Sequence, residues 1–416
     1  MRVLLVNTYD NRGGAARSVL RIFNALKKEE IDVKMLVQNK RETDNNIIGP
    51  SGPAGNLMAL FRPYIDFALA FPWHRRRTTF FPAFLPGNFI RRVERLKPDL
   101  VQLNWITGGF VRIEDLALIK VPVVWMLHDM WAFTGGCHYA GECRRFEAAC
   151  GNCPILKSGK EQDISRWIFN RKMETYFKLK NLTIVTPSNW LAECVSRSPL
   201  LGRFPVEVIH NALDTSVFYP EEKSKSKAHF GFHPDKNTIL FGALDATGNR
   251  LKGYKELTEA LQLIPEKDKY ELAVFGSAKK QNATLHGFSA HYLGYLESDI
   301  ELRKLYSAAD VMVVPSIQEV FGQTATEAMA CAAPVVAFGA TGLLDIIEHK
   351  VNGFLAEPFK PDSLAEGITW CLESNERNNK LSLEALETVK SKFEISVIVQ
   401  KFINLYNHLI YDNLKN

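Results

Sequence analysis

Short apolar runs alternate with longer amphipathic segments along most of this chain. A first series comprises residues 3–6, 33–37, 100–103, 121–127, 182–185 and 206–209, and a second comprises 239–241, 272–275, 311–314 and 334–337. The runs are rich in Val, Ile and Leu, as in strands that are covered on both faces. Their alternation with helical segments predicts parallel sheets built from βαβ units. Two series predict an α/β protein with two doubly wound, Rossmann-like domains.

The chain is long enough for two domains of about 200 residues each. The pattern places an N-terminal domain at 1–210 and a C-terminal domain at 211–385. A polar, charged stretch at 221–227 has the composition of a linker. Apolar residues at helical spacing predict a helix from about Ser382 onward, of which 386–416 form a C-terminal tail.

Composition narrows the class of protein. Hydrophobic residues make up 46% and charged residues 23%, which is typical of a globular protein, and a net charge of +5 does not by itself argue for nucleic acid. Residues 1–7 fit a first strand better than a signal peptide, and no 18-residue apolar stretch predicts a spanning helix. We therefore expect a cytoplasmic protein whose thiols are reduced.

One segment in the last third predicts a strand, a loop and a helix. The apolar run 311–314 ends at a proline, Glu319 lies in the loop, and the helix begins after Gly322 with Glu327 in its second turn. A glycine lets the backbone approach a ligand, and the free amides of a helix start favour an anion. Two carboxylates thus bracket a phosphate-sized site. The alternative is an ordinary βα unit with two solvated glutamates.

The sequence around these glutamates resembles the motif of the retaining glycosyltransferases of family 4, which have the GT-B fold. Pro-Ser precedes the first glutamate, Phe-Gly follows it, and Glu-Ala-Met-Ala contains the second. The resemblance implies that Glu319 binds donor-sugar hydroxyls and Glu327 the ribose. It also implies that Gly322, Gln323 and Thr324 offer backbone amides to the diphosphate or the sugar.

The resemblance implies an enzyme that moves a sugar, of the hexosyl type, from a nucleotide-diphosphate donor to a saccharide or lipid-linked acceptor. The subset that it resembles acts in cell-surface polysaccharide synthesis, at the inner face of the membrane. In the GT-B fold the two domains face each other across a cleft, and the last helix crosses back to the first domain. No Asp-x-Asp metal motif follows a convincing strand, so we expect catalysis without a metal cofactor.

Basic residues near a helix start in the second domain complete the predicted donor site. Lys252 and the glycine after it match the family, whereas Ala243 stands where the family often has arginine, so Arg250 is the candidate replacement. Such cations stabilise negative charge on a departing phosphate. Gly276 and Tyr295 lie in two strand-end segments that the family places against the base. Solvated loop cations and plain turn glycines are the alternatives.

The first domain offers two acceptor-side features. Gly13 and Gly14 resemble the family's N-terminal loop, which closes over the diphosphate and the acceptor. His128 follows a predicted strand at a position where the family's histidine contacts the donor sugar or the acceptor. The predicted catalytic residues are thus Glu319, Lys252 and His128. A turn without function and a structural histidine are the alternatives.

Four of the seven cysteines lie in the loop 137–153: Cys137, Cys143, Cys150 and Cys153. In a reducing compartment such clustering favours a structural zinc ion, with His138 as a spare ligand. Disulfides and free thiols are the alternatives. A similar histidine- and cysteine-bearing segment occurs in the surface-polysaccharide subset of family 4.

Residues 67–95 mix aromatic residues with arginines, which suits an anionic membrane surface, although a solvated basic face has the same composition. Two other functions compete with glycosyl transfer. A nucleotide-sugar epimerase can share the fold. A nucleic-acid-binding protein with a structural zinc ion would account for the cysteines and arginines. The spacing of Glu319, Glu327 and Lys252 favours transfer, and we expect no nucleic-acid partner.

Overall fold

A computed structural model describes residues 1–68, 80–243, 245–277, 280–296 and 298–415 of the protein. The chain splits into two compact units. Unit 1 comprises Met1–His210 and Val399–Asn416, and unit 2 comprises Asn211–Ile398. The tail that groups with unit 1 therefore begins at Val399, later than the 386 expected from the apolar spacing.

Unit 1 contains a 7-stranded parallel sheet of order β3-β2-β1-β4-β5-β6-β7. The strands are β1 (Arg2–Tyr9), β2 (Asp32–Asn39), β3 (Ile47–Ile48), β4 (Leu100–Leu103), β5 (Val123–Met126), β6 (Leu182–Thr186) and β7 (Val206–Val208). The sequence pattern predicted all of them except the two-residue β3. The strand order reverses between β1 and β4, and ligands of such sheets bind beyond the carboxyl ends of the strands at this point.

The helices of unit 1 connect these strands. They are α1 (Gly14–Lys28), α2 (Gly52–Ala68), α3 (Phe89–Leu96), α4 (Ile164–Tyr176) and α5 (Asn189–Ser196). Asp163 caps α4 by accepting the amides of Ser165 and Arg166, and Ser188 caps α5 by accepting the amide of Leu191. These caps satisfy amides that have no partner within the helix.

Unit 2 contains a second 7-stranded sheet of order β10-β11-β9-β8-β12-β13-β14. Its strands are β8 (Asn237–Gly242), β9 (Tyr270–Phe275), β10 (Lys280–Leu285), β11 (Phe288–Gly294), β12 (Val311–Val314), β13 (Val335–Phe338) and β14 (Gly353–Ala356). All neighbours pair in parallel except the hairpin β10–β11 at the edge. The apolar-run pattern missed this hairpin, because β10 is mostly polar. It also missed the four-residue strand β14, which begins with a glycine.

Both faces of the second sheet are covered, as the apolar runs predicted. Leu240 and Met312 belong to the core on one face, and Val311 and Val313 belong to the core on the other.

The helices of unit 2 are α6 (Lys223–Phe230), α7 (Tyr254–Leu263), α8 (Asp299–Ala308), α9 (Gln323–Ala330), α10 (Pro361–Leu372) and α11 (Asn375–Lys392). The last helix of the chain, α12 (Ile395–Lys415), begins in unit 2 and continues in the segment that groups with unit 1.

The linker prediction for 221–227 was wrong. Most of that stretch is the first turn of α6, and Lys227 is buried with its ammonium 2.9 Å from the Asp310 carboxylate. Charged composition indicated a solvated linker, but the helix uses two of its lysines to neutralise a carboxylate inside the unit.

The predicted helical tail consists of two helices. A parallel bridge between Leu213 and Glu394 lies between α11 and α12.

The stretch 67–95, for which the sequence predicted a membrane surface, lies partly outside the described residues, because 69–79 are not described. No described helix is long and apolar enough to cross a bilayer. Membrane contact through 67–95 therefore stays a prediction.

Candidate active site

A lysine and a glutamate meet beyond the carboxyl ends of β8 and β12 in unit 2. The order of this sheet reverses between these two strands, so their following loops flank the point where ligands of open α/β sheets bind. Lys252 Nζ donates to Glu319 Oε2 at 2.7 Å, and both side chains are partly buried. The Ser316 hydroxyl lies 3.4 Å from the same carboxylate oxygen. The structure thus brings together two residues that the sequence proposed separately.

The glycine after Lys252 explains why the lysine lies there. Gly253 has a φ of +72°, and a Cβ at this position would lie 1.7 Å from the Pro315 carbonyl oxygen. The Ile317 amide also donates to the Leu251 carbonyl at 2.9 Å. Only glycine permits such a close approach, so this contact fixes the Lys252 loop against the loop that carries Glu319.

The backbone of Glu319 is held from a third loop, the one after β13. The Thr341 hydroxyl accepts the Glu319 amide at 3.2 Å, and the Gly342 amide donates to the Glu319 carbonyl at 2.9 Å. Because both of its backbone polar groups are bonded, the position of Glu319 is fixed before any ligand binds. Such preorganisation is what an electrostatic site requires.

The predicted strand, loop and helix are confirmed, with β12 at Val311–Val314 and α9 beginning at Gln323. Gly322 precedes the helix with a φ of +119°, which favours glycine. The side-chain amide nitrogen of Gln323 is buried without a hydrogen-bond partner among the described residues. A buried donor without a partner is costly, and at a ligand site the ligand removes that cost. Thr324, the next residue, is partly exposed.

Glu327 lies in the second turn of α9, as predicted, and it is buried. The Tyr306 hydroxyl donates to its carboxylate at 3.1 Å. The carboxylate therefore has a fixed partner inside the unit. Whether it also binds a ribose stays a prediction.

The three remaining donor-side candidates differ in their surroundings. The Arg250 guanidinium forms a bidentate ion pair with the Glu256 carboxylate, at 2.8 and 2.5 Å. Both of its terminal nitrogens therefore already bind a carboxylate. Gly276 packs between strand ends, since a Cβ there would lie 1.8 Å from the Ala243 carbonyl oxygen. Tyr295, just after β11, is exposed. Their proposed donor contacts stay predictions.

In unit 1, the predicted acceptor-side residues lie beyond the carboxyl ends of β1 and β5. Gly13 caps α1 with a φ of +88°, and a Cβ there would meet no atom within 4 Å, so the start of α1 at Gly14 borders open space. His128 is mostly buried, with Nε2 3.4 Å from the Asn104 side-chain oxygen. Burial of the ring lowers the pKa of His128 to about 4, so the imidazole is neutral at pH 7.

The sequence interpretation missed a cluster next to His128. The Asp129 carboxylate lies 2.6 Å from His138 Nδ1 and accepts the Trp105 indole N–H at 2.8 Å. Burial opposes the charge of Asp129, but His138, the Trp131 amide and the Trp105 indole N–H together outweigh this effect and lower the pKa of Asp129. His138 Nε2 is buried without a hydrogen-bond partner in the described part of the chain. The sequence signal is His-Asp followed nine residues later by a second histidine, His138, which the sequence analysis offers only as a spare zinc ligand.

The four loop cysteines are free in the structure, and three of them are buried. Cys150 Sγ accepts the Gly135 amide at 3.1 Å, while burial raises the pKa of Cys150 to about 12. Among the residues that the structure describes, no group of three or more His, Cys, Asp or Glu side chains is arranged to hold a metal ion. The geometry therefore does not support the zinc expectation, which stays a prediction that metal analysis of the reduced protein can test.

Two doubly wound α/β domains, one with a cation, a carboxylate and a helix start at its switch point, match the plan of the GT-B fold class. Comparison with known families leads to the same class. Residues 12–217 match the family model described as Glycosyltransferase Family 4, and residues 223–388 match the model described as Glycosyl transferases group 1. Together the two models cover most of the chain, which belongs to this family of glycosyltransferases.

Two relatives illustrate the range of this family. The chain is 31% identical over 248 residues to an uncharacterised glycosyltransferase of Methanocaldococcus jannaschii, a match that covers 56% of this chain and 62% of that protein. It is 23% identical over 259 residues to the N,N'-diacetylbacillosaminyl-diphospho-undecaprenol alpha-1,3-N-acetylgalactosaminyltransferase of Campylobacter jejuni, covering 61% of this chain and 68% of that protein. The chain thus spans about three fifths of the length of the first relative.

Solved structures show the same fold at low identity. Sucrose-phosphate synthase from Thermosynechococcus elongatus superposes with a TM-score of 0.71 at 19% identity, covering 99% of this chain and 100% of that chain. HepE from Anabaena, in complex with UDP-glucose, superposes with a TM-score of 0.62 at 17% identity, covering 98% and 100%.

Proposed function

We propose that the protein transfers a sugar from a nucleotide-diphosphate donor to a saccharide or lipid-linked saccharide acceptor in cell-surface polysaccharide synthesis. The observation that carries the proposal is the Lys252–Glu319 pair, held beside the start of α9 at the switch point of the second sheet. The UDP-glucose bound to HepE and the undecaprenyl-linked substrate in the name of the Campylobacter relative support these substrate classes.

The chemistry requires charge of both signs at one place. Transfer breaks the bond between the anomeric carbon and a phosphate oxygen, so negative charge develops on the diphosphate and positive charge on the sugar. Lys252 and the amides at the start of α9 stabilise the diphosphate, and the Gln323 side chain offers an additional buried donor. Glu319 accepts hydrogen bonds from the sugar hydroxyls, which positions the ring.

The acceptor hydroxyl attacks the anomeric carbon from the same face that the phosphate leaves. A bond forms between the acceptor oxygen and the anomeric carbon, and the acceptor proton passes to the departing phosphate oxygen. No side-chain base is required for this step. A neutral His128 then serves as a hydrogen-bonding partner of the sugar or the acceptor rather than as a cation.

A nucleotide screen tests the donor half of the proposal. UDP, GDP and ADP, each compared with its nucleoside monophosphate, are added to the purified protein and the melting temperature is measured. We expect one diphosphate to raise the melting temperature more than its monophosphate does, because a ligand that binds only the folded state stabilises it by mass action. Equal responses to diphosphate and monophosphate, or none, would contradict a diphosphate site.

Product analysis then separates transfer from epimerisation. The stabilising nucleotide defines the nucleotide part of the donor. Several sugars linked to this nucleotide are therefore incubated, one at a time, with the protein and a mixture of saccharide acceptors. Transfer releases the free nucleoside diphosphate and adds the mass of a sugar to an acceptor. An epimerase would change the stereochemistry of the sugar without enlarging any acceptor.

A further inference from the structure

Thr341, in the loop after β13, has a backbone conformation that its own side chain disfavours. Its φ is +56°, which lies in the left-handed region. Twelve of the described residues other than glycine have a positive φ, and Thr341 is the only one of them whose Cβ is branched. For a branched side chain this conformation is an outlier, which persists only where the surrounding structure enforces it. Neighbouring segments must therefore hold Thr341 in place.

The backbone around Thr341 is bonded to the loop that carries Glu319, which we name the donor loop (residues 316–322). The Thr341 hydroxyl accepts the Glu319 amide at 3.2 Å, and the amide of the next residue, Gly342, donates to the Glu319 carbonyl at 2.9 Å. A Cβ at Gly342 would lie 2.2 Å from the Val320 carbonyl oxygen, so only glycine fits there. The two segments thus pack backbone against backbone.

The segment that follows Thr341 also supports the start of α9. A Cβ at Gly322 would lie 2.8 Å from the Leu343 side chain and 3.3 Å from the Ile346 side chain, and both of these side chains are buried in the core of unit 2. Residues 341–346 therefore pack against the donor loop at both ends of the stretch from Glu319 to Gly322. A shift of this segment would move the carboxylate and the helix start together.

Glu319 depends on Thr341 because it lies outside any helix or strand. Its amide has no partner from a helix or a sheet, and a backbone amide inside a protein requires an acceptor. The Thr341 hydroxyl is that acceptor. A glycine at residue 341 would adopt the left-handed conformation without strain, but it would leave the Glu319 amide without this bond.

We propose that Thr341 is a positioning residue for Glu319, and that its strained backbone is retained because the hydroxyl fixes Glu319 in the candidate active site. Backbone strain that persists at one residue is characteristic of functional sites, where a fixed geometry is worth more than the stability that is lost. The expected effect on sugar transfer rests on the proposed function. The expected effects on the Glu319 amide and on stability do not.

Three substitutions of Thr341 separate the hydroxyl from the strain. Thr341→Ser keeps the hydroxyl, Thr341→Val keeps the branched shape but removes the hydroxyl, and Thr341→Gly removes both. We expect Thr341→Ser to transfer sugar as the wild type does. Thr341→Val and Thr341→Gly should each lower kcat by roughly tenfold to a hundredfold, with a smaller change in KM for the donor, because a misplaced active-site group affects the transition state most.

Hydrogen–deuterium exchange measures the position of Glu319 without any substrate. In peptides that span 317–322, the Glu319 amide should exchange slowly in the wild type and in Thr341→Ser. It should exchange faster in Thr341→Val and Thr341→Gly, because its acceptor is lost. This result also distinguishes positioning from a general loss of fold, which would speed exchange throughout unit 2.

Melting temperatures test the strain. Of the two variants without a hydroxyl, Thr341→Gly should melt roughly 2–4 °C above Thr341→Val, because it relieves the left-handed backbone. At a residue with ordinary φ, glycine would be the less stable of the two. Ala332→Gly is the matched control, since Ala332 has a φ of +61° just after α9. It should raise the melting temperature while leaving kcat and the exchange at Glu319 unchanged.

Two outcomes would overturn the proposal. Wild-type exchange at Glu319 together with wild-type kcat in Thr341→Val, or in Thr341→Gly if the valine variant does not fold, would show that the hydroxyl does not position Glu319. A melting temperature of Thr341→Gly below that of Thr341→Val would show that the backbone is not strained. A different result bears on the proposed function alone: if exchange and melting behave as expected but the wild type transfers no sugar from any nucleotide, transfer is refuted and the coupling of Thr341 to Glu319 stands.

Discussion

Lys252 and Glu319 are 67 positions apart in the sequence, and their charged atoms lie 2.7 Å apart. The lysine comes from the loop after β8 and the glutamate from the loop after β12, two neighbouring strands whose connections leave the sheet in opposite directions. The pair places a cation and a carboxylate at one point, where the proposed reaction needs a partner for the diphosphate and a partner for the sugar hydroxyls. It also defines the variants that test the site most directly.

Glu319→Ala should reduce transfer by roughly 10²- to 10³-fold, the usual effect of losing one well-placed polar group in an active site. The melting temperature should change little, because the backbone of residue 319 stays bonded to Thr341 and Gly342. Transfer is measured as release of nucleoside diphosphate from the donor. Wild-type turnover in this variant would remove Glu319 from the active site.

Lys252→Ala should weaken diphosphate binding and reduce transfer to a similar degree, because a cation that faces the leaving group is lost. Lys255→Ala is the matched control. Lys255 is an exposed lysine only three residues further on, and it pairs loosely with Glu259 at 3.6 Å. Nucleotide titration of both variants checks the prediction. Equal losses in the two would show that general positive charge, rather than the position of Lys252, matters.

Gly253→Ala should destabilise the protein far more than Gly231→Ala does. Both glycines have a φ near +70°, so alanine costs about 1–2 kcal/mol of backbone strain at either site. At Gly231 the added Cβ meets no atom within 4 Å, whereas at Gly253 it lies 1.7 Å from the Pro315 carbonyl oxygen. Urea unfolding of the two variants measures the difference. Equal losses would mean that the 251–253 loop moves freely and does not fix Lys252.

The pH dependence of stability should report on His128. Its pKa is about 4 in the folded protein and close to the ordinary 6.5 in the unfolded chain, so the unfolded chain binds more protons between these values. The contribution of His128 to the free energy of unfolding is therefore fully present above about pH 6.5 and is lost as the pH falls towards 4.

His128→Gln removes this titration, and the free energy of unfolding is compared between variant and wild type from pH 7 to pH 4. The advantage of the wild type should shrink as the pH falls, while carboxylates that lie away from His128 contribute equally to both proteins. A constant difference across this range would show that His128 is not perturbed by burial.

The sequence by itself determined the two-domain α/β plan and the candidate donor segment. Apolar runs buried on both faces have few other stable arrangements, so the parallel strands could be read directly. Gly322 likewise marked the start of α9 correctly, because local chemistry decides where a helix begins. The apolar runs did not predict elements that are mostly polar. The β10 strand of the β10–β11 hairpin and helix α6 are examples.

Only the tertiary structure decided which partners meet. Lys252 reaches Glu319 because Gly253 packs on Pro315, and Arg250 is drawn instead to Glu256. His138 pairs with Asp129 rather than joining the cysteines, and the apolar face of α2 is turned outward by the bonds of Arg62 and Asp66. Local periodicity shows which residues share a face. Which way that face turns, and which distant group it meets, depends on contacts between segments far apart in the chain.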